Sequence, residues 1–305
     1  MSAAQLKRIA LALALAVFLW GLVEILGRRG DTISETPLLP ALSPAEVDAI
    51  TIAGDADTIV LERVADTTWT VNGFDASPDA VGTLLGALAE PTAGELIAQN
   101  PSSHERMGVD TSSAKRLTIG RGEQVLGEVL VGAQGRSFRS AYARKPGDDD
   151  VFLVEGELIP LLDRNVTDWR DKRIVTLEPD SIHGITVERG GARYSLVRKG
   201  GTWVFDDGAT VDSARVTRLL DAFARVEAQG AAFATPEEAR AADFDLPDRR
   251  VHLMGSDRSE LASLAFDSTD TGFWVRRTGG ETIYQLNRWR VDDLTPADSS
   301  LRQRE

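Results

Sequence analysis

Apolar residues form one long run near the start of the chain, and beyond it apolar and polar positions alternate. Residues 9–26 contain a single charged side chain, Glu24. A helix rises about 1.5 Å per residue, so this run reaches about 27 Å, just enough to cross a hydrocarbon core. Lys7 and Arg8 precede the run, and basic residues favour the cytoplasmic side. The pattern predicts one transmembrane helix with a cytoplasmic N-terminus and an exported body.

A cleaved signal peptide is the alternative reading of this segment. Residues 14–16 (Ala-Leu-Ala) match the small-residue cleavage pattern, but they lie inside the apolar run. Residues 27–30 contain two arginines and make a poor cleavage site. We therefore assign residues 1–29 to an uncleaved anchor. Residues 30–47, which contain three prolines, are predicted to be a linker.

Two amphipathic helices are predicted further along the chain, 135 positions apart. Their apolar faces follow the spacing i, i+3, i+4, i+7, and they consist of Val81, Leu84, Leu85 and Leu88 in the first helix and Val216, Leu219, Leu220 and Phe223 in the second. Ser77 and Asp212 precede them and are suited to N-cap a helix.

Short runs with strand-like alternation surround both helices in the same order. The runs that resemble each other are 50–52 and 185–187, 69–71 and 203–205, and 142–144 and 274–276. Alternation with period two buries one face of a sheet, here under the helix. Paired glycines suit the hairpin turns that such strands need, and they occur at 190–191, 200–201 and 279–280.

These patterns predict an α+β fold made of two tandem copies of a mainly antiparallel sheet-plus-helix unit. The copies span residues 48–175 and 182–290, and residues 291–305 are predicted to be a polar C-terminal tail. Trp69 and Trp203 occupy equivalent places in the two copies. We interpret them as core side chains, because each copy needs a large apolar residue there; a pair of aromatic binding platforms is the alternative.

Charge narrows the choice of partners. The chain has a net charge of -13, although its first 30 residues are basic. An acidic body repels nucleic acid and anionic headgroups, so a nucleic-acid partner is not expected. The absence of cysteine excludes disulfides, a thiol nucleophile and cysteine metal ligands.

The sequence contains neither a phosphate-binding G-x-x-x-x-G-K-[ST] run nor a G-x-S-x-G elbow. Its histidines, His104, His183 and His252, show no metal-ligand spacing. Residues 120–122 (Gly-Arg-Gly) lie between two strand patterns and are read as a hairpin turn. Residues 148–150 (Asp-Asp-Asp) and 206–208 (Asp-Asp-Gly) are read as solvated turns, with a cation site as the alternative. No catalytic, cofactor-binding or metal-binding residue is predicted, although a pair of carboxylates among the 47 acidic residues stays open.

Several segments together resemble a known bacterial family. They are the anchor, the doubled unit, the Trp-x-[Val/Phe] strand before a capped helix, residues 107–110 (Met-Gly-Val-Asp), residues 244–247 (Phe-Asp-Leu-Pro) and residues 168–174, which close the first copy. The combination resembles the family called domain of unknown function 4340. Members are typically membrane-anchored exported proteins, often encoded beside ABC transporters of the gliding-motility type. The resemblance brings no catalytic residues, and residues 288–293 echo the ending of the first copy only loosely.

The resemblance implies a non-catalytic accessory subunit in the periplasm, held in the bacterial inner membrane by residues 9–26. Its expected partners are proteins such as permease components of an ABC-type transport or envelope system. A stand-alone envelope scaffold is the first alternative, and a hydrolase acting on envelope polymers is the second. No cofactor is expected in the leading interpretation.

Overall fold

The computed structural model of the chain describes residues 37–54, 57–229 and 232–303. The predicted membrane anchor, residues 1–29, lies outside them, as do residues 30–36 of the predicted linker. Among the described residues, no helix is both long and apolar enough to cross a membrane. The described chain is α+β with antiparallel sheets, which confirms this part of the predicted fold.

The strands are short and follow the predicted alternation. They are β1 (Ala49–Ala53), β2 (Thr58–Arg63), β3 (Trp69–Val71), β4 (Phe74–Asp75), β5 (Gly94–Ala98), β6 (Lys115–Arg121), β7 (Gln124–Gln134), β8 (Ser140–Arg144), β9 (Val151–Glu155), β10 (Arg173–Val175), β11 (Gly184–Arg189), β12 (Ala192–Lys199), β13 (Thr202–Phe205), β14 (Val226–Glu227), β15 (Arg249–Met254), β16 (Glu260–Ser268), β17 (Gly272–Arg277) and β18 (Ile283–Asn287).

Both predicted amphipathic helices are present among shorter ones. The helices are α1 (Pro78–Leu88), α2 (His104–Met107), α3 (Leu158–Leu161), α4 (Val166–Trp169), α5 (Ser213–Ala224), α6 (Pro236–Ala241), α7 (Arg288–Leu294) and α8 (Asp298–Leu301). The N-caps of α1 and α5 are the predicted ones: the Ala80 amide donates to Ser77 Oγ at 3.3 Å, and the Arg215 amide donates to Asp212 Oδ1 at 3.1 Å.

Contacts divide the chain into two compact units. Of the described residues, the first unit holds those up to Arg63 and Gly82–Asp163, and the second unit holds Val64–Val81 and those from Arg164 onward. This grouping differs from the predicted copies, because backbone bonds join residues 75–77 to residues 169–171. The Ser77 amide donates to the Trp169 carbonyl at 2.7 Å, and the Asp171 amide donates to the Asp75 carbonyl at 2.8 Å.

In the first unit the sheet runs in the order β2-β1-β6-β7-β8-β9-β5. Ile50 in β1 faces Leu61 in β2 and Ile119 in β6, and all three side chains are buried. Gly122 (φ 55°) makes the turn from β6 to β7 possible, so the Gly-Arg-Gly run at 120–122 ends in a hairpin turn, as predicted.

In the second unit the sheet runs in the order β13-β12-β11-β15-β16-β17-β18. The buried face of α5 joins one core with residues of this sheet, including Leu196, Phe205 and Phe266. The glycine pairs at 190–191 and 200–201 both adopt positive φ in two-residue hairpin turns, as their composition predicts. Six strands of this sheet, β12-β11-β15-β16-β17-β18, follow the same order as β2-β1-β6-β7-β8-β9.

Two predicted boundaries are wrong. The linker assigned to residues 30–47 contributes four apolar side chains to the core: Leu38, Leu39, Leu42 and Val47 are buried, and Leu39 pairs with Thr92, although residues 43–46 are exposed. The tail assigned to residues 291–305 is not a loose polar segment. It contributes Val291, Leu294 and Leu301 to the core of the second unit. In the tail, Val291 and Leu294 lie three positions apart on one face of α7, and the charged residues around them obscure this spacing in the sequence.

Candidate functional site

The two predicted core tryptophans differ in exposure. Trp69 is buried, with 4% of its surface exposed. Trp203 is half-buried and packs against the core of the second unit. Both positions therefore favour the core interpretation over the binding-platform alternative.

The three histidines lie on separate elements. His104 Nε2 lies 3.0 Å from the Asp149 carbonyl oxygen, and His183 Nδ1 lies 3.2 Å from the Ser181 carbonyl oxygen. His252 Nδ1 lies 3.5 Å from a carboxylate oxygen of Glu260. Each histidine contacts its own local partner, and the described part of the chain contains no cluster of three histidine or acidic side chains able to hold a metal ion.

The acidic runs lie in turns, as predicted. Residues 148–150 connect β8 to β9, where Asp150 accepts a bond from Gln99 at 3.3 Å. Residues 206–208 follow β13, and the side chain of Asp207 accepts bonds from the Ala209 amide at 2.8 Å and from Arg302 at 2.9 Å. These bonds hold the pKa of the Asp207 carboxyl below its usual range.

We take a cavity of about 580 Å³ in the first unit as the candidate site, because buried apolar side chains and exposed carboxylates both line it. We call it the α1 groove. It lies along the outer face of α1 and reaches the end of β9 and the start of α3. Its lining consists of Thr83, Gly86, Ala87, Glu90, Pro91, Thr92, Ala93, Val154, Glu155, Gly156, Glu157, Leu158 and Ile159. The volume lies within the range of pockets that take small ligands or side chains of a partner.

Helical periodicity builds one wall of the α1 groove. Thr83, Gly86 and Ala87 of α1 and Glu90, just beyond its end, recur at the spacing i, i+3, i+4, i+7, and none of the four is buried. A Cβ added at Gly86 would meet no atom within 4 Å, so the wall is open there. Glycine inside a helix costs about 1 kcal/mol relative to alanine, and the packing of this chain does not require it.

The floor of the α1 groove is apolar. Val154, Leu158 and Ile159 are buried beneath it, each with 6% or less of its surface exposed. The rim beside Thr92 is fixed by the backbone pair with Leu39, in which the Thr92 amide donates to the Leu39 carbonyl at 2.9 Å. The groove therefore has a wall and floor that are preformed by regular secondary structure and by core packing.

The rim of the α1 groove is acidic. Glu90, Glu155 and Glu157 are exposed, and none of the described lysines or arginines lines the cavity. Arg139 forms an ion pair with Glu157, and Ser137 Oγ lies 3.4 Å from Glu155. The negative charge is thus only partly neutralised, and the groove can hold apolar side chains on its floor while binding cations at its edge.

Sequence reasoning missed this site, although the small residues opposite the apolar face of α1 were a visible signal. The approach of residues 154–159 to residues 83–93 was not visible, because no local pattern reports it.

A family model described as "Domain of unknown function (DUF4340)" matches residues 69–247, more than half of the chain. No curated protein and no solved structure matches the chain.

Proposed function

This chain belongs to the family called domain of unknown function 4340, and from that premise we propose that it is a membrane-anchored periplasmic accessory protein that binds partners without catalysis. The proposed partners are permease components of an ABC-type transport or envelope system in the bacterial inner membrane. The apolar run at residues 9–26 supports the anchor. The observation that carries the binding role is the α1 groove, with its apolar floor and acidic rim.

The groove suits a partner segment that is amphipathic and basic. Apolar side chains of such a segment would cover Val154, Leu158 and Ile159, while its lysines or arginines would face Glu90 and Glu155. The low wall at Gly86 permits close approach of another helix. Tethering restricts the domain to a thin layer above the bilayer, which raises its effective concentration toward membrane proteins. A weak interface is then well occupied.

We also propose that the two sheets descend from one duplicated unit. The shared order of six strands supports this, as do the matching N-caps of α1 and α5. An arginine at corresponding positions also contacts the loop after a short helix in each case. Arg144 Nε donates to the Val109 carbonyl at 2.9 Å, and the guanidinium of Arg276 lies 4.5 Å from the ring centroid of Phe244.

The test is co-purification of the full chain with the permease and ATPase from detergent extracts. Gly86→Leu places a bulky side chain in the groove without a clash at Cβ, and we expect it to lose the permease. Gly82→Leu is the matched control, because Gly82 is equally open on the same helix but does not line the groove. Glu90→Lys should weaken the complex, whereas Glu123→Lys, an exposed charge reversal at the β6–β7 turn, should not.

Retention of the permease by both glycine variants would rule out the groove as the contact. If the wild-type chain purifies with neither permease nor ATPase, the accessory role is wrong and the stand-alone scaffold is favoured.

A further inference from the structure

Arg170, in the second unit, lies between two aromatic rings. Its guanidinium carbon is 3.8 Å from the ring centroid of Phe74 and 3.6 Å from that of Phe233. Phe74 is 47% exposed, whereas Phe233 is buried. A cation is attracted to the face of an aromatic ring, so the two contacts together restrict the orientation of the guanidinium.

The backbone places Arg170 there from three separate segments. Helix α4 ends at Trp169, which is fully buried, and Arg170 continues in an extended conformation. The bonds of residues 169–171 to residues 75–77 bring the β3–β4 hairpin, and with it Phe74, to one face of Arg170. Phe233 comes from a segment that pairs with β18 at Tyr284. The arrangement is therefore built by hydrogen-bonded backbone and not by a single mobile loop.

The guanidinium has no oxygen acceptor among the described residues. Its Nε is buried without a hydrogen-bond partner, whereas the residue as a whole is only half-buried. Asp171, its neighbour in the chain, is held by Arg173, with Nε–Oδ1 at 2.9 Å and Nη2–Oδ2 at 2.8 Å. Burial lowers the pKa of Arg170, opposed by Tyr284 and Asp75, but a guanidinium stays charged at neutral pH.

An oriented arginine without an acceptor is a receptor for an oxyanion. Both ring centroids lie within 3.8 Å of the guanidinium carbon, which hinders approach to the faces of the guanidinium and favours approach in its plane, where the terminal nitrogens form a fork. That geometry matches the two oxygens of a carboxylate. Asp75 and Asp171 lie close by and disfavour a dianionic phosphate more strongly than a singly charged carboxylate. The exposed ring of Phe74 offers contact to an apolar group next to the carboxylate.

We propose that Arg170, clamped by Phe74 and Phe233, binds a carboxylate that carries an apolar substituent. The carboxylate belongs either to a free small acid or to the C-terminus of a peptide. This site does not depend on the α1 groove, and it can be tested without the permease.

Calorimetric titration of the full chain in detergent tests the proposal with four probes. They are benzoate, a short peptide with an apolar C-terminal residue, the same peptide amidated at its C-terminus, and inorganic phosphate. We expect benzoate or the free-acid peptide to bind, and the amidated peptide and phosphate to bind at least tenfold more weakly. Binding by benzoate identifies a free acid as sufficient, and binding by the peptide alone identifies a peptide C-terminus.

Arg170→Lys keeps the charge but removes the planar fork, and we expect an affinity loss of at least tenfold. Arg193→Lys, at an exposed position of β12, is the matched control and should leave affinity unchanged. Phe74→Ala, at an exposed position, should weaken binding severalfold. It provides a second variant if the circular dichroism spectrum of Arg170→Lys shows that this variant does not fold. Absence of binding by both acids, equal binding of phosphate, or affinity unchanged by both site variants would overturn the proposal.

Discussion

Two arginines of the second unit lie against phenylalanine rings but differ in what their nitrogens contact. Arg249 lies 4.7 Å from the ring centroid of Phe273, and its Nη1 donates to Asp292 at 2.7 Å and to Thr295 Oγ1 at 3.0 Å. Arg170 is closer to its two rings but has no acceptor in the described part of the chain. Both arginines thus contact an aromatic ring. The presence of a hydrogen-bond acceptor marks Arg249 as structural, and its absence leaves Arg170 available to a ligand.

The local cause of the difference is competition for carboxylates. Near Arg249, helix α7 contributes Asp292. Thr295, the first residue after this helix, is fully buried. Arg189 joins the same network through Asp292 at 3.2 Å and the Thr295 carbonyl at 2.9 Å. Around Arg170, the adjacent carboxylate is already bound by Arg173. Burying a charge without a partner is costly, so the exception at Arg170 requires an explanation.

The largest effect on stability is expected from truncating Trp169, the buried residue that precedes Arg170. Trp169 is fully buried, and Trp169→Ala should lower the free energy of unfolding by about 3–5 kcal/mol because it leaves a cavity. Urea unfolding of the purified protein measures this. Trp289→Ala is the control, since Trp289 is 57% exposed, and its change should stay within about 0.5 kcal/mol. A small cost at Trp169 would mean that the region is not held rigidly.

The direct comparison replaces each arginine with methionine. Arg249→Met removes the donor to Thr295 Oγ1 and one of the two arginines that contact Asp292, so it should lower the free energy of unfolding by about 1–3 kcal/mol. Arg170→Met loses ring contacts but also removes an unpaired buried nitrogen, so a change within about 1 kcal/mol is expected. If Arg170→Met proves the more destabilising of the two, Arg170 is a structural residue and the comparison fails.

Each region also contains a tyrosine whose pKa is raised, mainly by burial. Tyr194 donates to the Pro296 carbonyl at 2.7 Å near Arg249, and Tyr284 pairs with Phe233 near Arg170. A raised pKa keeps the native phenol protonated, so its contribution to stability is present below pH 10 and is lost as the pH rises above that value. Tyr194→Phe should lower the free energy of unfolding by about 1 kcal/mol at neutral pH, and it should reduce the loss of stability above pH 10. Unfolding measured between pH 8 and pH 11 checks both statements.

The smallest effect on stability is expected at Arg173. Its pair with Asp171 is partly solvent-accessible, with the two side chains 40% and 20% exposed, so Arg173→Met should change the free energy of unfolding by only about 1 kcal/mol or less. The released carboxylate of Asp171 should nevertheless compete for Arg170 and weaken benzoate binding severalfold. Arg225→Met, which breaks an exposed pair with Glu227, is the control. Equal benzoate affinity in wild type and Arg173→Met would show that Asp171 does not influence the clamp.

Local features of this protein were readable from its sequence. The apolar faces of α1 and α5, their N-caps at Ser77 and Asp212, and the glycine turns at 190–191 and 200–201 all depend on neighbours within a few residues. Helical and strand periodicity, capping and positive φ are local properties, so they can be recognised from the sequence alone. The α+β class follows from them, and the apolar run at residues 9–26 is equally local.

Tertiary structure alone decided which distant segments meet. The α1 groove joins residues 83–93 to residues 154–159, and the clamp joins Phe74, Arg170 and Phe233. The burial of Leu294 and Leu301 in a charged C-terminal stretch has the same origin. Such contacts are selected by the summed burial and hydrogen bonding of the whole chain, in which the large gains nearly cancel the large entropic cost. No short pattern encodes that sum, so Arg170 appeared in the sequence only as one basic residue in a charged motif.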